Sequence, residues 1–122
     1  MRIYKSKAFS KFAKKEGISN KRLLQAVNDA EAGLIDADYG GGVIKQRIAR
    51  PNAGKSGGYR SIILYRRGNK AFFVYGFAKN ERSNISNAEV RDFKDLADKL
   101  FGMSDNQIAL FIKSDKMEEI NQ

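Results

Sequence analysis

Two β-rich runs separated by two residues constrain this chain most: YRSIILYRR, residues 59–67, and KAFFVYGFAK, residues 70–79, with Gly68 and Asn69 between them. β-Branched and aromatic residues crowd both runs, and Gly-Asn between such segments predicts an antiparallel hairpin closed by a two-residue turn. A third run, VIKQRIAR at 43–50, is joined to them by the loop PNAGKSGG, which holds the only proline, Pro51. The middle of the chain is therefore read as a sheet.

Helical patterns flank it. Met1 to Lys5 predicts a short strand, after which Phe9, Phe12 and Ala13 mark the buried stripe of a first helix that stops near Gly17. Ser19 or Asn20 caps a second helix, in which Leu23, Val27, Ala30 and Leu34 recur at helical spacing and Gly33 marks the end. Ser86 with Glu89, and Ser104 with Gln107, read as capping boxes. The first opens a helix whose Val90, Phe93, Ala97 and Leu100 share a face; the second opens a segment containing Ile108, Phe111 and Ile112. The expectation is one α+β domain, with an N-terminal helical hairpin and C-terminal helices around a mainly antiparallel sheet. Residues 1–102 form its main body and 103–122 a helical extension of the same domain. No repeat, low-complexity tract or linker divides the chain.

At 122 residues the chain is long enough for one core of its own. No apolar run approaches the ~18 residues that span a bilayer, and the amino terminus has no signal-peptide pattern, so a cytoplasmic protein is expected. With no cysteine and no histidine, thiolate and imidazole chemistry are both excluded. Any catalysis must use Lys, Arg, Tyr, Ser or a carboxylate.

The charge is concentrated. Lys45, Arg47, Arg50, Lys55, Arg60, Arg66, Arg67, Lys70, Lys79 and Arg82 stand against the single acid Glu81, so residues 45–82 carry the whole net charge of +9. Such a segment attracts phosphate polymers by Coulomb attraction and counterion release. Strand alternation sharpens the surface: Lys45 and Arg47 point together, opposite to Ile44 and Ile48. Arg60 and Arg66 share a face with Ile62 and Leu64, and Tyr75, Phe77 and Lys79 form another row.

In order and spacing, KQR, then GKSGGYR, then YGFAKNERSN leading into an amphipathic helix, the chain resembles a RelE/HigB toxin of a type II toxin-antitoxin module over about residues 2 to 101. The resemblance implies a helical hairpin on a twisted sheet whose open concave face holds the site. The implied activity is metal-independent endonucleolytic cleavage of mRNA, commonly on the ribosome, with no cofactor and with an antitoxin as partner. Position by position it implies catalytic roles for Lys45, Arg47, Lys55, Arg60 and Lys79. Arg50, Tyr59, Arg66, Tyr75, Asn80, Glu81 and Arg82 complete the expected RNA-binding set. Ser86 falls close to where some members place a tyrosine.

The chemistry agrees with those residue types. Attack by a ribose 2′-hydroxyl requires a base, cations on the phosphate oxygens and an acid for the departing 5′-oxygen. Arginine forks clamp phosphate, and a lysine crowded by other cations is a candidate base. Glu81 is a second candidate, or else orients an arginine. Two other classes remain at this stage: a ParE-like inhibitor of DNA gyrase and a non-catalytic RNA-binding module. For the last segment, an amphipathic helix packed on the core is favoured over an acidic cover for the basic face.

Overall fold

The computed structural model describes residues 1–49 and 58–121. In chain order the elements are β1 (Arg2–Ser6), α1 (Lys7–Glu16), α2 (Asn20–Glu31), β2 (Ala37–Gly40), β3 (Val43–Ile48), β4 (Tyr59–Arg66), β5 (Lys70–Ala78), α3 (Asn87–Phe101), α4 (Asp105–Lys113) and β6 (Met117–Ile120). The fold is α+β, and the six strands lie in the order β2-β3-β4-β5-β1-β6. All neighbours are antiparallel except β1 and β5, which run parallel with Arg2 opposite Lys70 and Lys5 opposite Phe73.

Strand alternation divides the apolar residues between two layers. On one face Ile44, Ile48, Ile63, Ala71 and Phe73 meet Phe9 and Ala13 of α1 and Leu23, Val27 and Ala30 of α2. On the other, Val43, Leu64 and Phe72 meet Ala97 and Leu100 of α3 and Ile108 of α4. Side chains of β4 are consequently buried on both faces along its centre, with Ile62, Ile63 and Leu64 all fully enclosed. The helix signals act where the sequence places them. Ser6, Ser19, Ser86 and Ser104 each accept a backbone N–H three residues on, and both capping boxes are complete. Gly17, in the left-handed region at φ 68°, ends α1.

Four expectations change. Leu34, expected on the buried stripe of α2, lies beyond the end of that helix and is exposed. The hairpin between β4 and β5 is a three-residue loop, because Arg66 pairs with Lys70 and Arg67 joins Gly68 and Asn69 in the turn; Gly68 supplies its positive φ of 69°. Residues 37–40 form an additional edge strand, β2. The C-terminal segment is helical only in part: after α4 it returns as β6, antiparallel to β1, burying Met117 and Ile120. Its acids pair around β1, and Asp105 meets Lys70 of the basic segment at 3.2 Å. Glu119 takes a double hydrogen bond from Arg2, at 2.9 Å to each oxygen, and Glu118 lies 3.7 Å from Lys5.

A buried glutamine fixes the segment that enters β2. Gln46 faces α2, donates to the carbonyls of Ala26 (3.0 Å) and Leu34 (2.9 Å), and accepts the Asp36 N–H at 2.9 Å. Three bonds from one enclosed amide leave residues 34–36 little freedom.

Candidate nucleic-acid interface

The α3 face of the sheet is closed at one end and charged at the other. Phe101 of α3 lies edge-on to Phe72 at 5.5 Å and Phe93 lies 6.2 Å from Tyr75, so α3 covers the sheet only as far as the middle of β5. Beyond Tyr75, alternation continues on the same face to Phe77 and, across the ladder, to Arg60, which is opposite Phe77. Arg47 on β3 stands directly opposite Arg60. Two like charges at facing positions disfavour the sheet, so a nearby anion stabilises the pair.

Both guanidiniums come near Gly58, where Arg60 Nη1 also donates to the Tyr59 carbonyl at 3.4 Å. A Cβ added there would lie 3.3 Å from Arg47 Nε and 3.7 Å from Arg60 Nη1. Glycine therefore leaves room beside both side chains. Lys45 is on the same face of β3, and its side chain, like that of Arg60, is mostly enclosed, at 14% and 13% exposed. Between them sits a carboxylate that the sequence reading did not include. Asp36 Oδ2 is 3.3 Å from Arg60 Nε and 3.8 Å from Lys45 Nζ. Lys79 follows β5 and bonds through its N–H to the Gly58 carbonyl at 3.2 Å, tying its backbone to the same end of the sheet.

The expected residues divide accordingly. Lys45, Arg47, Arg60 and the Lys79 backbone are brought together, with Tyr75 at the border. Lys55 and Arg50 lie outside the described residues. Tyr59 is on the opposite face, 3% exposed and edge-on to Phe12 of α1 at 5.8 Å, so it belongs to the core rather than to a stacking platform. Arg66 is six residues from Arg60 along β4, about 20 Å at ~3.3 Å per residue, and its guanidinium covers Phe101 at 4.5 Å. Asn80 and Glu81 are exposed in the turn after β5.

Arg82 has an internal role. It forms a fork-to-fork pair with Glu89 (2.7 and 3.2 Å), donates to the Tyr75 hydroxyl at 3.0 Å and the Asn84 carbonyl at 2.8 Å, and lies over the rings of Tyr75 and Phe77. Asn84 also accepts from the Tyr39 hydroxyl. The carboxylate that orients an arginine is thus Glu89, which also completes the Ser86 capping box, and not Glu81. The Arg82 hydrogen bond, followed by the Ser86 backbone N–H, holds the Glu89 carboxyl down at about 2, from an ordinary 4.5. A depressed carboxylate stabilises the fold above its unfolded titration and loses that contribution as the pH falls through the folded one. Stability is therefore expected to drop between about pH 4.5 and 2, and Glu89→Gln to flatten that limb by on the order of 1 kcal/mol after solvent screening. Urea unfolding at stepped pH measures it; parallel curves for both proteins would mean that the pair contributes nothing.

No helix among the described residues is long and apolar enough to cross a membrane. No curated protein gives a match to the chain. A family model described as the RelE toxin of the RelE/RelB toxin-antitoxin system matches residues 1–120, so the kinship extends through β6, beyond the segment that carried the resemblance. Membership implies an antitoxin partner, and the chain belongs to the RelE toxin family.

Proposed function

We propose that this toxin is a metal-independent endoribonuclease that inhibits translation in the cytoplasm by cutting mRNA, with the ribosome holding the message. One observation carries the reading: Arg47 and Arg60 face each other across β3 and β4, and both side chains come close to Gly58, beyond the part of the sheet where α3 packs on Tyr75. A phosphodiester is the ligand that offsets such a pair, because its oxygens accept parallel N–H bonds from both forks.

In this reading Arg60 and Arg47 clamp the scissile phosphate and stabilise the charge that grows on its oxygens. Lys45 adds a third cation from the same face, and we assign Lys79 to giving a proton to the departing 5′-oxygen. Tyr75 borders the clamp, and we assign it to contact with the message beside the scissile phosphate. Arg82 and Glu89 act on the Tyr75 ring and on the loop after β5, so we assign them to positioning. The antitoxin would meet the same positive rim with an acidic segment.

The reading is tested by inducing the toxin in a bacterial host and mapping the ends of an abundant message by primer extension within minutes. New ends inside translated codons are expected. Growth arrest with intact messages would overturn the nuclease and shift the target to gyrase or to RNA bound without cleavage.

A further inference from the structure

We propose that Asp36 is the proton acceptor of this site, taking the proton from the ribose 2′-hydroxyl that attacks the phosphate. The inference rests on the ribonuclease reading and supplies the base that a chain without histidine lacks. Three observations carry it. The carboxylate lies against the clamp itself, 3.3 Å from Arg60 Nε, and the attacking hydroxyl is on the ribose attached to the clamped phosphate. It is held there from behind, since the Asp36 N–H is bound by enclosed Gln46. It remains reachable, with 36% of its side chain exposed while both cationic partners are almost covered.

The groups facing Asp36 are Lys45 on β3, Arg60 on β4 and the Tyr39 hydroxyl on β2, which burial and then the Asp36 charge push upward, keeping it protonated. Lys45, one of the three lysines (with Lys55 and Lys79) expected from the sequence as the base, thus has a carboxylate beside it, not cations alone, and its role becomes electrostatic. In the step, the 2′-O–H proton passes to an Asp36 oxygen as the 2′-oxygen forms its bond to phosphorus. The bond from phosphorus to the 5′-oxygen breaks with its electron pair, and that oxygen takes a proton from Lys79 or water. The products are a 2′,3′-cyclic phosphate and a 5′-hydroxyl, and Asp36 returns its proton to solvent.

The test compares the parent with Asp36→Asn in single-turnover cleavage of messenger on programmed ribosomes from about pH 6 to 9. Asparagine keeps the shape and the Gln46 contact but cannot accept the proton. The expected result is a loss of about 10²- to 10⁴-fold in rate with message binding unchanged or tighter, since a negative charge is gone from the clamp. The shape of the profile separates catalysis from positioning. A carboxylate base is expected to leave the parent rate flat across this range. Without it, attack depends on hydroxide, so the variant should gain about tenfold per pH unit. A variant that cuts like the parent overturns the proposal. So does one that is slower at every pH by the same factor, or a parent rate that itself climbs with pH as an amine base would require. The nuclease reading is checked separately by a 2′-deoxy nucleotide at the cut site: a parent that cuts it equally well, or cuts neither message, removes that reading and Asp36's role with it.

Discussion

Replacing Arg60 by alanine is expected to lower message cleavage by about 10²- to 10³-fold and to abolish growth arrest, the scale seen when one preorganised donor to a developing oxyanion is lost. Arg60 is the residue with the most links to the site: it faces Arg47 across the ladder, lies with it near Gly58, and contacts the Asp36 carboxylate. Removing it breaks the clamp and leaves Asp36 with Lys45 alone. Arg60→Lys separates charge from shape, because an ammonium keeps the positive charge without the planar fork; an intermediate rate is expected. Primer extension and single-turnover kinetics measure both, with urea unfolding alongside. A folded Arg60→Ala protein that cuts like the parent would exclude Arg60 from the site.

Gly76→Ala is expected to have the larger effect on stability, about 1–3 kcal/mol, as overpacking of a fixed interior does. Gly76 is in β5 opposite Ser61, on the face that α1 covers. A Cβ there would lie 2.3, 2.5 and 3.0 Å from three ring atoms of Phe12. The ring cannot yield freely, since it stands edge-on to Tyr59 at 5.8 Å and lies 5.8 Å from Phe9. Chemical denaturation of Gly76→Ala, Phe12→Ala and the double variant closes the cycle. The double variant should be more stable than the sum of the two losses allows, because the clash vanishes with the ring. Strict additivity would show that the contact is not what limits position 76.

Most of the architecture was legible because its signals are local. The capping boxes at Ser86 and Ser104, the hairpin runs and the alternation along β3 to β5 each depend on residues within a few positions of one another. β2 and β6 were not, since ADYG and MEEI are short and rich in residues that strands disfavour; as edge strands each is held by one neighbour. The site was legible as a charge and not as a geometry. Alternation alone would have removed Tyr59, which precedes Arg60 and must face the other layer. Asp36 and Glu89 could not be found in the same way. Both lie outside the basic segment, one before β2 and the other in α3, and only the folded chain sets them against Arg60 and Arg82.

The place of β1 in the sheet orders events in time. Its inner neighbour is β5 and its outer neighbour is β6, which pairs Ile3 with Ile120. The first strand made is thus completed by the last, and this pairing spans nearly the whole sequence, the kind of contact that forms late because a long loop must close first. During synthesis the sheet lacks this outer edge until β6 has been made. Until then β1 is held from one side only, by β5.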